Sequence, residues 1–200
     1  MTANRTVDFF DAQFRRQASE REFALNPFES AALPHLRGRV LDLGCGLGNL
    51  TLEAARRGCS VRALDASPAA VARIREAARA ENLAVQADVV DLGRYRIEAE
   101  FDTIVAIGLL MFFPQARALE LLADIRSHVA EGGCAILNVL IEGTTYLDLF
   151  EPGHCHLFGR DELERDFADW KLLLSRVDTF GVPDGRCKVF STLIAEKPGA

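Results

Sequence analysis

Val40-Leu41-Asp42-Leu43-Gly44-Cys45-Gly46-Leu47-Gly48-Asn49 is the stretch that decides the fold. Its apolar first half reads as a buried strand, and it runs straight into three glycines at alternate positions, where a tight loop hands over to a helix. Glycine there allows a positive φ and leaves a bare backbone that a ligand approaches more closely than any Cβ permits. The dinucleotide fingerprint spaces its glycines as G-x-G-x-x-G, so that a pyrophosphate rests on the next helix N-terminus. Here the spacing is Gly44-x-Gly46-x-Gly48, with Asp42 two residues ahead of the first glycine. A carboxylate so close repels a pyrophosphate and suits a ligand carrying an ammonium group. The loop therefore points to an amino-acid-bearing nucleoside.

Downstream, strand and helix signals alternate. After a short helix from Leu50 to Arg57, Ser60 to Leu64 reads as a second strand ending on Asp65, with Ala66 next to it. An acid at that distance from the first glycine accepts hydrogen bonds from both hydroxyls of a ribose. Ser67-Pro68 supplies an N-cap and a first-turn proline for a helix over Ala69 to Ala80, with Val71, Ile74 and Ala78 facing inward. Leu83 to Ala87 is a third strand, which also finishes on an acid, Asp88, followed by Val89. In an open parallel sheet the ligand lies beyond the carboxyl ends of the strands, so Asp42 to Gly48, Asp65 and Asp88 are expected along one crevice. A fourth strand, Phe101 to Ile107, brings Ala106 and Ile107 to the same end. A helix opened by Pro114 carries Ala118, Leu122, Ile125 and Val129 at core spacing and is expected to close at Gly132-Gly133, before a fifth strand from Cys134 to Ile141. Asp161 and Glu164 suggest a capping box for a helix to Phe167, and Trp170 to Phe180 with Lys188 to Glu196 form a terminal hairpin.

An apolar fraction of 49% with 26% charged residues is globular rather than disordered, and 200 residues suit one ordinary domain. Residues 1–38 are expected as an N-terminal helical cap on a ligand-binding domain at 39–200, with Phe9, Phe10, Phe14, Phe23 and Phe28 as core anchors or pocket roof. A net charge of −6 without a strongly basic segment argues against nucleic acid or an anionic membrane as partner. Five widely spaced cysteines without a C-x-x-C pair read as reduced thiols. The first residues lack the apolar core of a secretion signal, and the longest apolar runs are too short to span a bilayer, so a soluble cytoplasmic protein is expected.

Asp42-Leu43-Gly44-Cys45-Gly46-Leu47-Gly48 resembles the first motif of class I methyltransferases that use S-adenosylmethionine, and Phe101 to Ile104 resembles their F-D-x-V motif. The alternating chain closing on a hairpin is similar to their Rossmann-like sheet, seven mostly parallel strands in the order 3-2-1-4-5-7-6. The resemblance implies S-adenosylmethionine as methyl donor, S-adenosylhomocysteine as product, a small-molecule acceptor, and Asp88 accepting from the adenine amino group. Leu110 to Phe113, Glu162-Leu163 before Asp169-Trp170, and Lys188 to Ala195 look like the tellurite-resistance TehB-like family, which implies a thiol or a tellurium or selenium oxyanion as acceptor. That family carries a His-Arg pair and a further Arg in the last hairpin, where this chain offers Arg186 and Lys188, with Val182-Pro183 in place of the pair.

On the acceptor side the candidates are Phe14, Met111 and Arg186, with His154 and His156 in the long loop from Glu142 to Gly159 as general bases. Two histidines with no third ligand beside them do not make a metal site. Two other functions stay open: a non-catalytic S-adenosylmethionine-binding regulator and a nicotinamide-dependent oxidoreductase, the latter disfavoured by the glycine spacing.

Overall fold

β1 (Arg39–Leu43) is buried from Val40 onward, as an apolar run at the centre of a sheet must be, and the rest of the chain is wound to either side of it. The computed structural model describes residues 11–14, 16, 23–148, 150 and 155–199. On one side of β1, α2 (Asn49–Arg56) leads to β2 (Ser60–Asp65), and α3 (Pro68–Glu81) to β3 (Val85–Val89). On the other side lie β4 (Phe101–Ile107) and, after α4 (Gln115–His128), β5 (Val129–Leu140). The short α5 (Glu162–Asp166) precedes β6 (Lys171–Gly181) and β7 (Cys187–Glu196).

The seven strands stand in the order β3-β2-β1-β4-β5-β7-β6, as expected. The first five are parallel, and β7 runs antiparallel between β5 and β6. Asp42 is in register with Ala63 of β2 and Val105 of β4, so the strand ends on both sides of β1 share one level. Between β1 and β4 the order of the sheet reverses, and this switch point opens the crevice where such sheets bind ligands.

Alternate residues of each strand feed two cores. Leu41, Leu43, Ile104 and Ala106 join α4 on one face; Val40, Val61, Val105 and Ile194 join α2 on the other. The N-terminal α1 (Pro27–Ala32) begins with a capping box, in which Asn26 accepts from the Phe28 and Glu29 N–H groups and Glu29 accepts from the Asn26 N–H. Ala32 and Leu33 then pack into the second core, and the Phe28 ring stands 4.9 Å from that of Phe190.

Three expected boundaries are corrected. α4 ends at His128 and not at the Gly132-Gly133 pair, because Val129 is already extended and paired with Phe101. The two glycines sit inside β5, where the register against β4 jumps; a Cβ on Gly133 would stand 2.8 Å from the Asp102 carbonyl. Asp161 caps α5 with no side-chain bond; Glu162 instead accepts from the Gly159 N–H at 2.7 Å. β3 begins at Val85 and not at Leu83, because Asn82 closes α3 in the left-handed region and the Leu83 N–H turns back to the Ala78 carbonyl. Among the described residues, no helix is long and apolar enough to cross a membrane, and all five cysteines are free thiols.

Candidate functional site

The glycine loop takes the backbone shape that its composition demands. Gly44, Gly46 and Gly48 all have positive φ. A Cβ on Gly48 would run into the Ile74 side chain, so this glycine lets α2 and α3 pack together, while a Cβ on Gly46 would stand 3.2 Å from the Phe14 ring, so this glycine lets Phe14 close over the loop. The Gly44 and Cys45 N–H groups both donate to the Leu64 carbonyl, at 2.8 and 3.1 Å, and lock the loop onto β2.

Asp65 holds the same loop from the end of β2. One carboxylate oxygen accepts from the Gly46 N–H and the other from the Ser67 N–H, both at 2.8 Å. Burial pushes its pKa up, and these backbone donors partly offset that. Asp42, at the end of β1, is 6% exposed and accepts from Thr51 Oγ1 at 2.5 Å. Burial pushes its pKa up to about 7; the Thr51 bond lowers it, and the negative charges of Glu29 and Asp65 raise it.

These groups face a cavity of about 420 Å3 at the switch point. Its floor is the stretch Gly44 to Leu47 with Asp42 and Val105. Asp65, Ala66 and the segment Asp91 to Gly93 form one end. Ile107 to Leu109 with Phe112 and Phe113 form an apolar side, and Phe14, Ala24, Asn26 and Glu29 close the cavity from the N-terminal segment. The volume is in the range of sites for drug-sized ligands, and a few polar groups on an apolar lining fix orientation in such sites.

The structure brings together most of the residues expected for a nucleoside ligand: Asp42, Gly44, Gly46, Asp65, Ala66 and Ile107 all line the cavity, as does Phe14. Gly48 lies behind the loop and Ala106 is fully buried behind the wall. Asp88 and Val89 lie outside this lining: Asp88 bonds Arg75 at 3.1 Å and the Gln86 amide, and the β3 side contributes Asp91, Leu92 and Gly93 to the cavity.

The expected acceptor residues are placed differently. Met111 is 3% exposed and lies outside the lining. Arg186 also lies outside it, gripping Asp148 with two bonds of 2.8 Å, pairing with Asp184 and stacking on Tyr146. His154 falls outside the described residues. His156 is buried away from the cavity, with its backbone N–H on the Met111 carbonyl and its ring on Phe158; its Nε2, 3.7 Å from Glu162, has no hydrogen-bond partner among the described residues. Asn26, Glu29 and Asn49 were missed, although N-P-F-E is a legible capping box that fixes where Glu29 stands.

Comparison with known proteins adds an independent line. The profile of a methyltransferase domain matches residues 40–133. Hemagglutinin 1 of Eikenella corrodens is 33% identical over 174 residues, which cover 80% of this chain and 55% of that protein. The probable S-adenosyl-L-methionine-dependent methyltransferase TehB of Haemophilus influenzae is 27% identical over 169 residues, covering 80% of this chain and 57% of that one. The chain thus spans a little over half the length of these relatives. Among solved structures, TehB from Haemophilus influenzae superposes with a TM-score of 0.77 at 23% identity, over 96% of this chain and 67% of that one. The N-methyltransferase NodS from Bradyrhizobium japonicum, in complex with S-adenosylhomocysteine, superposes with a TM-score of 0.68 at 17% identity, over 98% of this chain and all of that one. At these identities the structural likeness establishes the fold.

Proposed function

We propose that this chain is a class I S-adenosylmethionine-dependent methyltransferase, similar to the TehB-like proteins, that transfers a methyl group to a small-molecule acceptor. The observation that carries the reading is the convergence of Asp42, the open Gly44 to Leu47 backbone and Asp65 on one cavity at the sheet's switch point. The residues fit the donor. Asp42 offers a buried carboxylate to its ammonium group, Asp65 offers the remaining lone pairs of its oxygens to the ribose hydroxyls, and Leu92 and Leu109 offer apolar walls to the adenine.

S-adenosylmethionine supplies a sulfonium methyl group whose transfer leaves a neutral thioether, so no acid is needed at the leaving group. What the chain provides is alignment and exclusion of water. Phe14, Leu109, Phe112 and Phe113 dry one side of the cavity, and alignment of two reactants is worth an effective molarity of about 10⁵ M or more. Among acceptors, a thiolate needs no general base. A tellurium or selenium oxyanion would have to enter a cavity whose described lining holds no cation, since Arg186 is engaged elsewhere. We further propose that residues 1–38 act as a cap over the domain at 39–200, supported by Phe14, Asn26 and Glu29 in the cavity wall, and that the protein works in the cytoplasm, supported by its free thiols.

The test is incubation with radiolabelled S-adenosylmethionine and a panel of thiols, amines, small phenols, selenite and tellurite. Label transferred to a panel member is the expected result. Label retained by the protein without transfer would favour a regulator.

A further inference from the structure

The cavity wall where α1 meets the start of α2 is short of donors. Asn49 spends its Nδ2 on the Ala24 carbonyl at 3.2 Å, while its Oδ1 is buried and, among the described residues, has no hydrogen-bond partner. Glu29 spends Oε2 on the Asn26 N–H at 2.7 Å, and among the described residues no donor is bonded to Oε1. Both side chains line the cavity. The lining also carries the carboxylates of Asp42, Asp65 and Asp91, and among its described residues there is no Lys, Arg or His. The nearby cation Arg73 is turned away, donating to the Leu47 carbonyl and lying over the Phe23 ring at 3.9 Å.

A buried acceptor without a partner, as Asn49 Oδ1 is among the described residues, is costly until a donor meets it, and the half-buried Glu29 carboxylate in the same lining still has Oε1 to offer. A ligand that satisfies them has to bring N–H groups and positive charge. An oxyanion brings more negative charge to a lining that already carries four carboxylates, and at most a single O–H donor. With the ammonium group of the methyl donor assigned to Asp42, the neighbouring Glu29 and Asn49 would be left to receive the second substrate. Granted the methyl-transfer reading, on which this rests, we infer that the acceptor is a small primary or secondary amine, received as its ammonium ion by Glu29 and Asn49, with Glu29 as the base that frees its lone pair.

The step balances. The Glu29 carboxylate takes one proton from the ammonium nitrogen. The freed lone pair forms the new C–N bond as the C–S bond breaks and its electrons pass to sulfur. The product leaves as the methylated ammonium ion, and the proton on Glu29 returns to solvent. Burial raises the Glu29 pKa, which strengthens it as a base.

The experiment compares the native chain with Glu29→Gln. Glutamine keeps an oxygen for the Asn26 N–H, so the capping box survives. Calorimetry with S-adenosylhomocysteine tests the donor site alone, and label transfer from S-adenosylmethionine to alkylamines, thiols, selenite and tellurite tests the acceptor. The expected result is transfer to amines, reduced about 100-fold in kcat by Glu29→Gln, with S-adenosylhomocysteine affinity nearly unchanged. Transfer to thiols or oxyanions with the amines inert overturns the amine class, as does binding of S-adenosylhomocysteine without transfer to any amine. An unchanged kcat in Glu29→Gln overturns the role of Glu29. Equal loss of S-adenosylhomocysteine affinity overturns it too, by assigning Glu29 to the donor site. A native chain that does not bind S-adenosylhomocysteine refutes the proposed function itself, and the amine inference falls with it.

Discussion

Asp42→Asn separates the electrostatic cost of the site from its geometry. The substitution keeps an oxygen for Thr51 Oγ1, which bonds the native carboxylate at 2.5 Å, and removes the titration. In the native chain the Asp42 pKa rises from 3.8 to about 7, mainly through burial. Above 3.8 the unfolded chain has ionised while the folded chain holds its proton, so stability falls with rising pH until the folded carboxyl also ionises near 7, and is level beyond. At about 1.4 kcal/mol per pH unit the loss totals about 4 kcal/mol, of which about 3 kcal/mol falls between pH 5 and pH 8. The amide of the variant has nothing to titrate. Urea denaturation of both chains at pH 5, 6, 7 and 8, without ligand, is therefore expected to show the variant gaining on the native chain by that amount. A constant difference across the series, or a native chain gaining with pH, would refute the assignment of Asp42 as a desolvated carboxyl. The same charge predicts that S-adenosylhomocysteine binds more tightly as pH rises toward 7, with no such trend in the variant.

Two further outcomes follow from the loop. Gly48→Ala forces both a left-handed backbone and a clash with buried Ile74, and is expected to cost about 2 to 4 kcal/mol in chemical denaturation; Gly58→Ala, also at positive φ but facing open space, costs only about 1 kcal/mol. Equal costs would show that the Ile74 contact is not tight. Asp65→Ala leaves the Gly46 and Ser67 N–H groups unpaired and is expected to weaken S-adenosylhomocysteine binding by about 1 to 3 kcal/mol in calorimetry; unchanged affinity would make Asp65 a structural cap alone.

The centre of the sheet was legible because β1, β2 and β4 are short, apolar and closed by turn signals, and because Asp42 and Asp65 stand near the ends of β1 and β2 where a parallel sheet binds its ligand. The same reasoning placed Asp88 in the crevice. The structure pairs Asp88 with Arg75 outside the cavity lining, and the turn of α3 that brings Arg75 within reach is not written in the strand. The closing of α4 was misread for a related reason: Gly132-Gly133 is a helix stop in isolation, whereas pairing of Val129 with Phe101 ends the helix earlier and gives the glycines to a register shift. His156 looked available in an extended loop, yet its N–H is held by the Met111 carbonyl and its ring by Phe158. Glu29 carried a local signal, its capping box, but its place beside Asp42 depends on how α1 lies across the sheet.

The central claim is that this cavity takes an amino-acid-bearing nucleoside and not a dinucleotide, because the Asp42 carboxylate in its lining would repel a pyrophosphate and the loop lacks the spacing that cradles one. The most direct measurement is calorimetric titration of the native chain with S-adenosylmethionine, S-adenosylhomocysteine, NAD and NADP under one buffer. Saturable binding of the first two, with no heat from the nicotinamide dinucleotides, is the expected result. Binding of NAD or NADP without binding of S-adenosylmethionine would contradict it.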